Sequence, residues 1–268
     1  MSDESCGILR RTNSELLDNI NVSRMCSPVD VRMFELCKTR ESITCSKKLM
    51  CVFITNCVKK ILARTKTERK FRILVVGGTG MIGRQICQAL IRHGCIEEEN
   101  LIVCRSQGLL HDFPPTIICT DSLESAIEEY HPRLILLACT GPQIESIAST
   151  LKSLLRPTIV VCSIASGIKI GRLKILLGVA HPIKAICYEN IHEDDKLKQL
   201  ATAMWHSNED ILGEFEQALY NQACLLGVNV TEASNVSKVF TRGRVTQESS
   251  DPLAVFQNYF VDTVNSFV

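Results

Sequence analysis

No apolar run in this chain approaches the ~20 residues that a membrane-spanning helix needs, so a polytopic membrane protein is excluded. Aromatic residues are scarce, at 5% with a single tryptophan, which leaves core building to aliphatic side chains and cysteine. Net charge is almost absent: 30 Lys and Arg against 29 Asp and Glu leave +1, so charge marks neither a nucleic-acid binder nor a membrane binder. No Cys-x-x-Cys pair occurs, and no histidine pair stands at zinc-ligand spacing. No metal site is expected. There are no internal repeats and no low-complexity tracts.

What is present is an ordinary globular composition, 46% hydrophobic and 22% charged over 268 residues. Fourteen cysteines are many, but Cys104, Cys139 and Cys162 fall inside strand-like runs where a reduced thiol serves as a small hydrophobe. That usage fits a reducing compartment rather than a disulfide framework. Met1-Ser2-Asp3-Glu4 leads into no apolar core, unlike a secretory leader, and its acids are foreign to a transit peptide. A cytoplasmic location is the expectation.

Charge is unevenly distributed. Residues 1–72 hold 15 basic and 8 acidic side chains, while the remainder holds 15 and 21. The pattern reads as a basic, partly helical N-terminal arm over 1–69 joined to a mildly acidic body. Within the arm, an amphipathic helix is expected from about Ser42 to Arg64, docked on the body or on a partner. Lys47, Lys48, Lys59 and Lys60 flank its most apolar stretch.

From residue 70 the pattern changes. Phe71–Val76, Leu101–Cys104, Thr116–Cys119, Leu134–Cys139 and Thr158–Cys162 are short apolar runs of the kind that parallel strands buried on both faces produce. Ile183–Tyr188 is a sixth candidate. Helical spacing follows several of them, from Met81 to His93, from Ser122 to Tyr130 with Asp121 as cap, and from Gln143 to Leu155. Alternation of this kind predicts an α/β fold, a Rossmann-type doubly wound parallel sheet over 70–190. A short helical region over 191–268 completes the chain.

Val75-Val76-Gly77-Gly78-Thr79-Gly80-Met81-Ile82-Gly83 is the most informative stretch. Gly78, Gly80 and Gly83 form G-x-G-x-x-G between a strand and a helix. One glycine allows the turn, the next lets backbone approach a pyrophosphate, and the third lets helix pack on strand. Gly78, Thr79, Gly80, Met81, Ile82 and Gly83 are therefore expected to bind a dinucleotide. The ribose-reading position at the end of the second strand holds Arg105 and Ser106 with no acid. A guanidinium matches a 2′-phosphate, so NADP is the expected cofactor.

The glycine loop also resembles the opening of the extended short-chain dehydrogenases. Those enzymes use a Tyr-x-x-x-Lys pair, and none of Tyr130, Tyr188, Tyr220 and Tyr259 has lysine four residues on. A second resemblance rests on three pieces: the glycine loop, Leu137-Ala138-Cys139-Thr140-Gly141-Pro142-Gln143, and Cys162-Ser163-Ile164-Ala165-Ser166-Gly167-Ile168. They look like the glycine loop, the A-V-K-P-Q loop and the S-x-A-A-G turn of the pyrroline-5-carboxylate reductases. The likeness is greatest to their divergent relatives, the NADP-dependent oxidoreductase domain-containing proteins.

The resemblance implies that Ala138, Cys139, Pro142, Ala165 and Ser166 lie beside the nicotinamide half of NADP. It implies hydride transfer to a small-molecule imine or carbonyl substrate, an oxidoreductase activity of the kind used in proline biosynthesis. The chain departs from that family where its A-V-K-P-Q lysine is lost, and its glycine- and threonine-rich C-terminal motif has no counterpart. The alternative is therefore a non-catalytic NADP-binding or interaction protein that kept the sheet and lost the pocket. No catalytic side chain is assigned; His131 and His181 read as loop residues. Phe215, Leu219, Ala223 and Leu226, then Phe256, Phe260 and Val264, make apolar stripes at helical spacing. By the family precedent, they are expected to meet a twofold mate in a homodimer.

Overall fold

The computed structural model describes residues 28–65, 70–105, 113–179, 181–188 and 196–242. Among these residues six strands form one sheet: β1 (Ile73–Val76), β2 (Leu101–Cys104), β3 (Ile118–Thr120), β4 (Leu134–Leu137), β5 (Val160–Ser163) and β6 (Ile183–Lys184). Their order is β3-β2-β1-β4-β5-β6, with every neighbouring pair parallel. The expected doubly wound α/β sheet is thus present. All residues of β1, β2 and β4 are buried, which explains their unbroken apolar runs.

Alternate strand residues feed two cores. Leu74, Val76, Ile102, Ile135 and Val161 pack under α3 (Leu123–Glu128), α4 (Gly141–Leu154) and α5 (Ile170–Leu177). Ile73, Val75, Val103, Leu136 and Cys162 face the other side, where α2 (Met81–Arg92) and α1 (Pro28–Leu62) lie. The six-residue α3 is capped by Ser122, whose Oγ accepts from Ser125 N at 3.1 Å; Asp121, the expected cap, is exposed beside it.

Helix α1 differs from its expectation. It begins at Pro28 rather than near Ser42, and from Met50 to Val58 every residue is fully buried. A helix apolar on all sides belongs inside a core. The sheet and α2 cover one side of it, and α6 (Lys196–Trp205) and α7 (Glu209–Leu225) cover the other. The helix is docked on the body, as one of the two expectations had it, but with its apolar stretch a fully buried part of the main core rather than through one amphipathic face. Its N-terminal part, residues 35–41, is exposed.

Among the described residues the helical tail contains α6, α7 and α8 (Val230–Arg242). Phe215, Leu219 and Ala223 of α7 are buried in the core that contains α1, and Leu226 is half-buried. The stripe offered for a twofold mate is consequently covered by the chain itself. Phe256, Phe260 and Val264 lie outside the described residues. Strand β6 is two residues long, not six. The chain leaves the sheet because Tyr188 N donates to Ser46 Oγ of α1 at 2.9 Å and its hydroxyl meets Ser207 Oγ at 2.6 Å.

Candidate functional site

Strand register gathers the site. Val76 stands opposite Cys104 and Leu137, and Leu137 opposite Ser163, so β1, β2, β4 and β5 end flush. The segments that follow emerge along one edge, where the strand order reverses between β1 and β4. That is where open α/β sheets bind ligands. Gly78–Gly83, Arg105, Ala138, Cys139, Pro142, Ala165 and Ser166 all lie on this edge. Ser106 lies outside the described residues.

The glycines divide their labour differently from the motif reading. The left-handed turn residue is Gly77, with φ +78°, and a Cβ there would sit 3.0 Å from Ala138 O. Gly78 is needed for packing, since its Cβ would meet Val103 Cγ1 at 2.8 Å. Gly83 lets α2 close on the loop; a Cβ would come within 2.3 Å of Gly77 O. At Gly80 a Cβ would have only Gly77 O within reach, at 3.2 Å, so one face of this residue is open. Gly80 also precedes α2 with an extended backbone and no side-chain cap.

The N–H groups of Met81, Ile82 and Gly83 open α2, where a helix has no carbonyls to offer them. The first turn holds no acid, so the positive end of the helix is uncompensated. Arg84 Nε donates to Thr79 O at 2.8 Å, which braces the loop and brings a cation to its rim. Thr79 itself is buried, so it shapes the loop from inside. A phosphate fits this cradle by charge, by donor direction and by space.

Arg105 follows β2, its N–H bonded to Thr120 O at 3.0 Å, and its Nη2 lies 4.0 Å from Asp121 Oδ2. On the β4 side, Ala138 N donates to Val76 O at 2.9 Å and Cys139 Sγ to the same carbonyl at 3.6 Å. Burial pushes the Cys139 thiol up to about 12, and Cys104 adds to the shift, so it is a neutral thiol and no nucleophile. Gln143 Oε1 accepts from both Thr140 N and Thr140 Oγ1 at 2.9 Å, fixing the start of α4 with Pro142 exposed in its first turn.

Past β5 the edge opens into a cavity of about 650 Å³ between β5, the segment after β6, and α7. Ala165, Ser166, His181, Lys184, Cys187 and Asn221 are among its walls. Asn221 Nδ2 lies 3.1 Å from His181 Nδ1, while burial, then Lys174, lowers the histidine's pKa and favours the neutral ring. Sequence reasoning had left His181 as a loop residue. It also missed Lys47 of α1, which is buried and donates to Ser166 Oγ at 2.9 Å. In sequence it is one of four lysines that flank the apolar stretch, and nothing in its neighbours sets it apart.

The strand order and its flanking helices define a Rossmann-type α/β protein, with the N-terminus of α2 open at the switch point. No family model matches the chain, and no curated protein matches it in sequence. Among solved structures, a pyrroline-5-carboxylate reductase from Coxiella burnetii is similar over 74% of this chain and 98% of that one, at 17% identity and a TM-score of 0.39. The fold assignment rests on this chain's own strand order.

Proposed function

We propose that the protein is an NADP-dependent oxidoreductase of the pyrroline-5-carboxylate reductase type, reducing an imine or carbonyl by hydride transfer from NADPH. The observation that carries it is the open α2 N-terminus at the switch point, with a sizeable cavity farther along the same edge. The N–H groups at Met81, Ile82 and Gly83 would hold the pyrophosphate, and Arg105 the 2′-phosphate in competition with Asp121. Ala138, Cys139, Pro142, Ala165 and Ser166 would flank the nicotinamide, whose chemistry is to supply the hydride when bound. The apolar walls around the cavity, Ile186 and Phe215 among them, would exclude water from the reacting carbon.

One observation favours the non-catalytic alternative: the α7 stripe is spent in the chain's own core, so it cannot complete a pocket with a mate. The cavity beside Ser166 argues for catalysis within one chain. Titration with NADPH and NADH, followed by a panel of cyclic imines and ketones, separates the two readings. Tight NADPH binding with turnover supports the reductase. Binding with no turnover of any member supports the alternative, and no binding of either cofactor removes both.

A further inference from the structure

Lys47 and Ser166 are 119 residues apart in sequence and joined by a hydrogen bond of 2.9 Å. Lys47 comes from α1, outside the sheet, yet its ammonium ends at the turn after β5. It is 8% exposed, and no carboxylate among the described residues lies within ion-pair distance of it. Taking a lysine charge out of water is costly, and a buried cation without an acid partner needs a reason.

The direction of the bond supplies one. An ammonium can only donate, so the Ser166 oxygen is the acceptor, and its own O–H is left to donate elsewhere. No acceptor for that proton exists among the described residues, while Ser166 itself is exposed and lines the cavity. A hydroxyl that accepts from a cation is a stronger donor than a lone serine. Among the described lining residues the charge is mostly of the same sign, Lys174 and Lys184 against Glu214. Burial pushes the Cys187 thiol up while Lys47 and Lys184 pull against it, so the field of Lys47 reaches the cavity wall.

We propose that the substrate is a carbonyl compound rather than an iminium ion, with Ser166 as its proton donor and Lys47 as the residue that positions and charges Ser166. This rests on the NADP-dependent reductase reading above. An iminium carries positive charge, which the lysines oppose, and once reduced it is an amine that needs no further proton. A carbonyl needs one. Bound NADPH would supply the hydride for the new C–H bond at the carbonyl carbon and be left as NADP+, with the C=O π pair moving onto oxygen. The Ser166 O–H bond breaks as its proton passes to that oxygen, giving the alcohol. Ser166 Oγ takes a proton from Lys47 Nζ, and the resulting amine recovers one from water.

The test uses full-length protein with acetophenone and a cyclic imine of similar size, phenylpyrroline. NADPH binding is first measured by calorimetry; its absence refutes the reductase reading and this proposal with it. With NADPH bound, acetophenone should be reduced with a higher kcat/KM than phenylpyrroline, and Ser166→Ala should lower kcat by about 100-fold with KM little changed. Turnover of the imine but not the ketone overturns the proposal and leaves the reductase reading intact.

A second measurement needs no cofactor. Acetophenone labelled at its carbonyl carbon is bound to the protein and its C=O stretch recorded by infrared difference. The band should fall relative to water-free solvent in the wild type, fall less in Lys47→Met, and not fall in Ser166→Ala. Ser166 is exposed, so the alanine variant folds even where Lys47→Met does not. A band unaffected by Ser166→Ala overturns the proposal whatever the turnover.

Discussion

Phe53 of α1 and Phe215 of α7 stack in the core with ring centroids 6.5 Å apart and planes inclined by 26°. This pair joins the N-terminal helix to the C-terminal helices across the face of the sheet. The crossover helices α3, α4 and α5 serve the opposite face, so α1 and the tail cover what the α/β winding leaves open. The chain on both sides of the Rossmann-type unit is therefore required for its stability. Phe53→Ala should destabilise the protein by ~3–5 kcal/mol in urea unfolding. A double-mutant cycle with Phe215→Leu and Phe53→Leu should show a coupling of ~0.5–1.5 kcal/mol. A loss below ~1 kcal/mol for Phe53→Ala would mean that α1 is peripheral.

Two glycine substitutions should separate binding from folding. Gly80→Val places its Cβ 3.2 Å from one carbonyl and otherwise in the open space before α2, so the fold should persist while NADPH binding is lost. Gly83→Ala drives a methyl to 2.3 Å from Gly77 O, and overpacking of this kind costs ~1–3 kcal/mol or more. Calorimetry and thermal unfolding on both variants check the pair. Unchanged NADPH affinity in Gly80→Val would remove the cofactor from this loop.

Much of this was legible in the sequence, and the misreadings have physical causes. Strands buried on both faces leave uninterrupted apolar runs, so β1, β2 and β4 were readable to within two residues. Gly83 was readable because α2 closes on the glycine loop there and leaves no room for a side chain. The motif template was aligned on Gly78 and passed over Gly77, although the doubled glycine was the signal for a left-handed turn. Helix α1 was misread because a helix covered on every side has no polar face to give it a period. Lys47 could not be found from its neighbours, since its partner Ser166 is brought to it only by the fold.

Cofactor preference should follow Arg105. Its guanidinium is 4.0 Å from the exposed Asp121 carboxylate, close enough to be drawn to a stronger anion at the same edge. Arg105→Ala should weaken NADPH by tenfold or more, ~1.4 kcal/mol for each factor of ten, while NADH changes little. Asp121→Asn removes the competitor and should tighten NADPH. Equal losses for both cofactors in Arg105→Ala would make it a residue of the loop's structure alone.

Buried thiols make the fold sensitive to alkali. Burial pushes Cys87, Cys139 and Cys162 up to about 12, and Cys95 and Cys104 to about 11, from an ordinary value of 9.0. Below 9.0 the folded and unfolded states both hold these protons, and the thiols leave stability independent of pH. Between 9.0 and about 12 the unfolded chain loses them first, so it binds fewer protons and stability falls as pH rises. Denaturant midpoints measured across this window should drop steadily. Cys162→Ala should make the slope shallower, and an unchanged slope would mean that this thiol is not buried in solution.

Leu219 decides what the α7 stripe is for. It is fully buried within its own chain, whereas Leu225, six residues on, is exposed. If the stripe served a twofold mate, Leu219→Asp would yield a folded monomer. Because the stripe packs into the core that contains α1, the charge would instead be placed among apolar side chains with no partner, which the fold cannot accommodate. Leu219→Asp should therefore lose cooperative unfolding and most soluble yield. Leu225→Asp should behave as wild type, within about 0.5 kcal/mol. Circular dichroism with sedimentation velocity on both variants reads the outcome. A well-folded Leu219→Asp chain of half the wild-type mass would restore the stripe to a dimer interface and refute its role in the core.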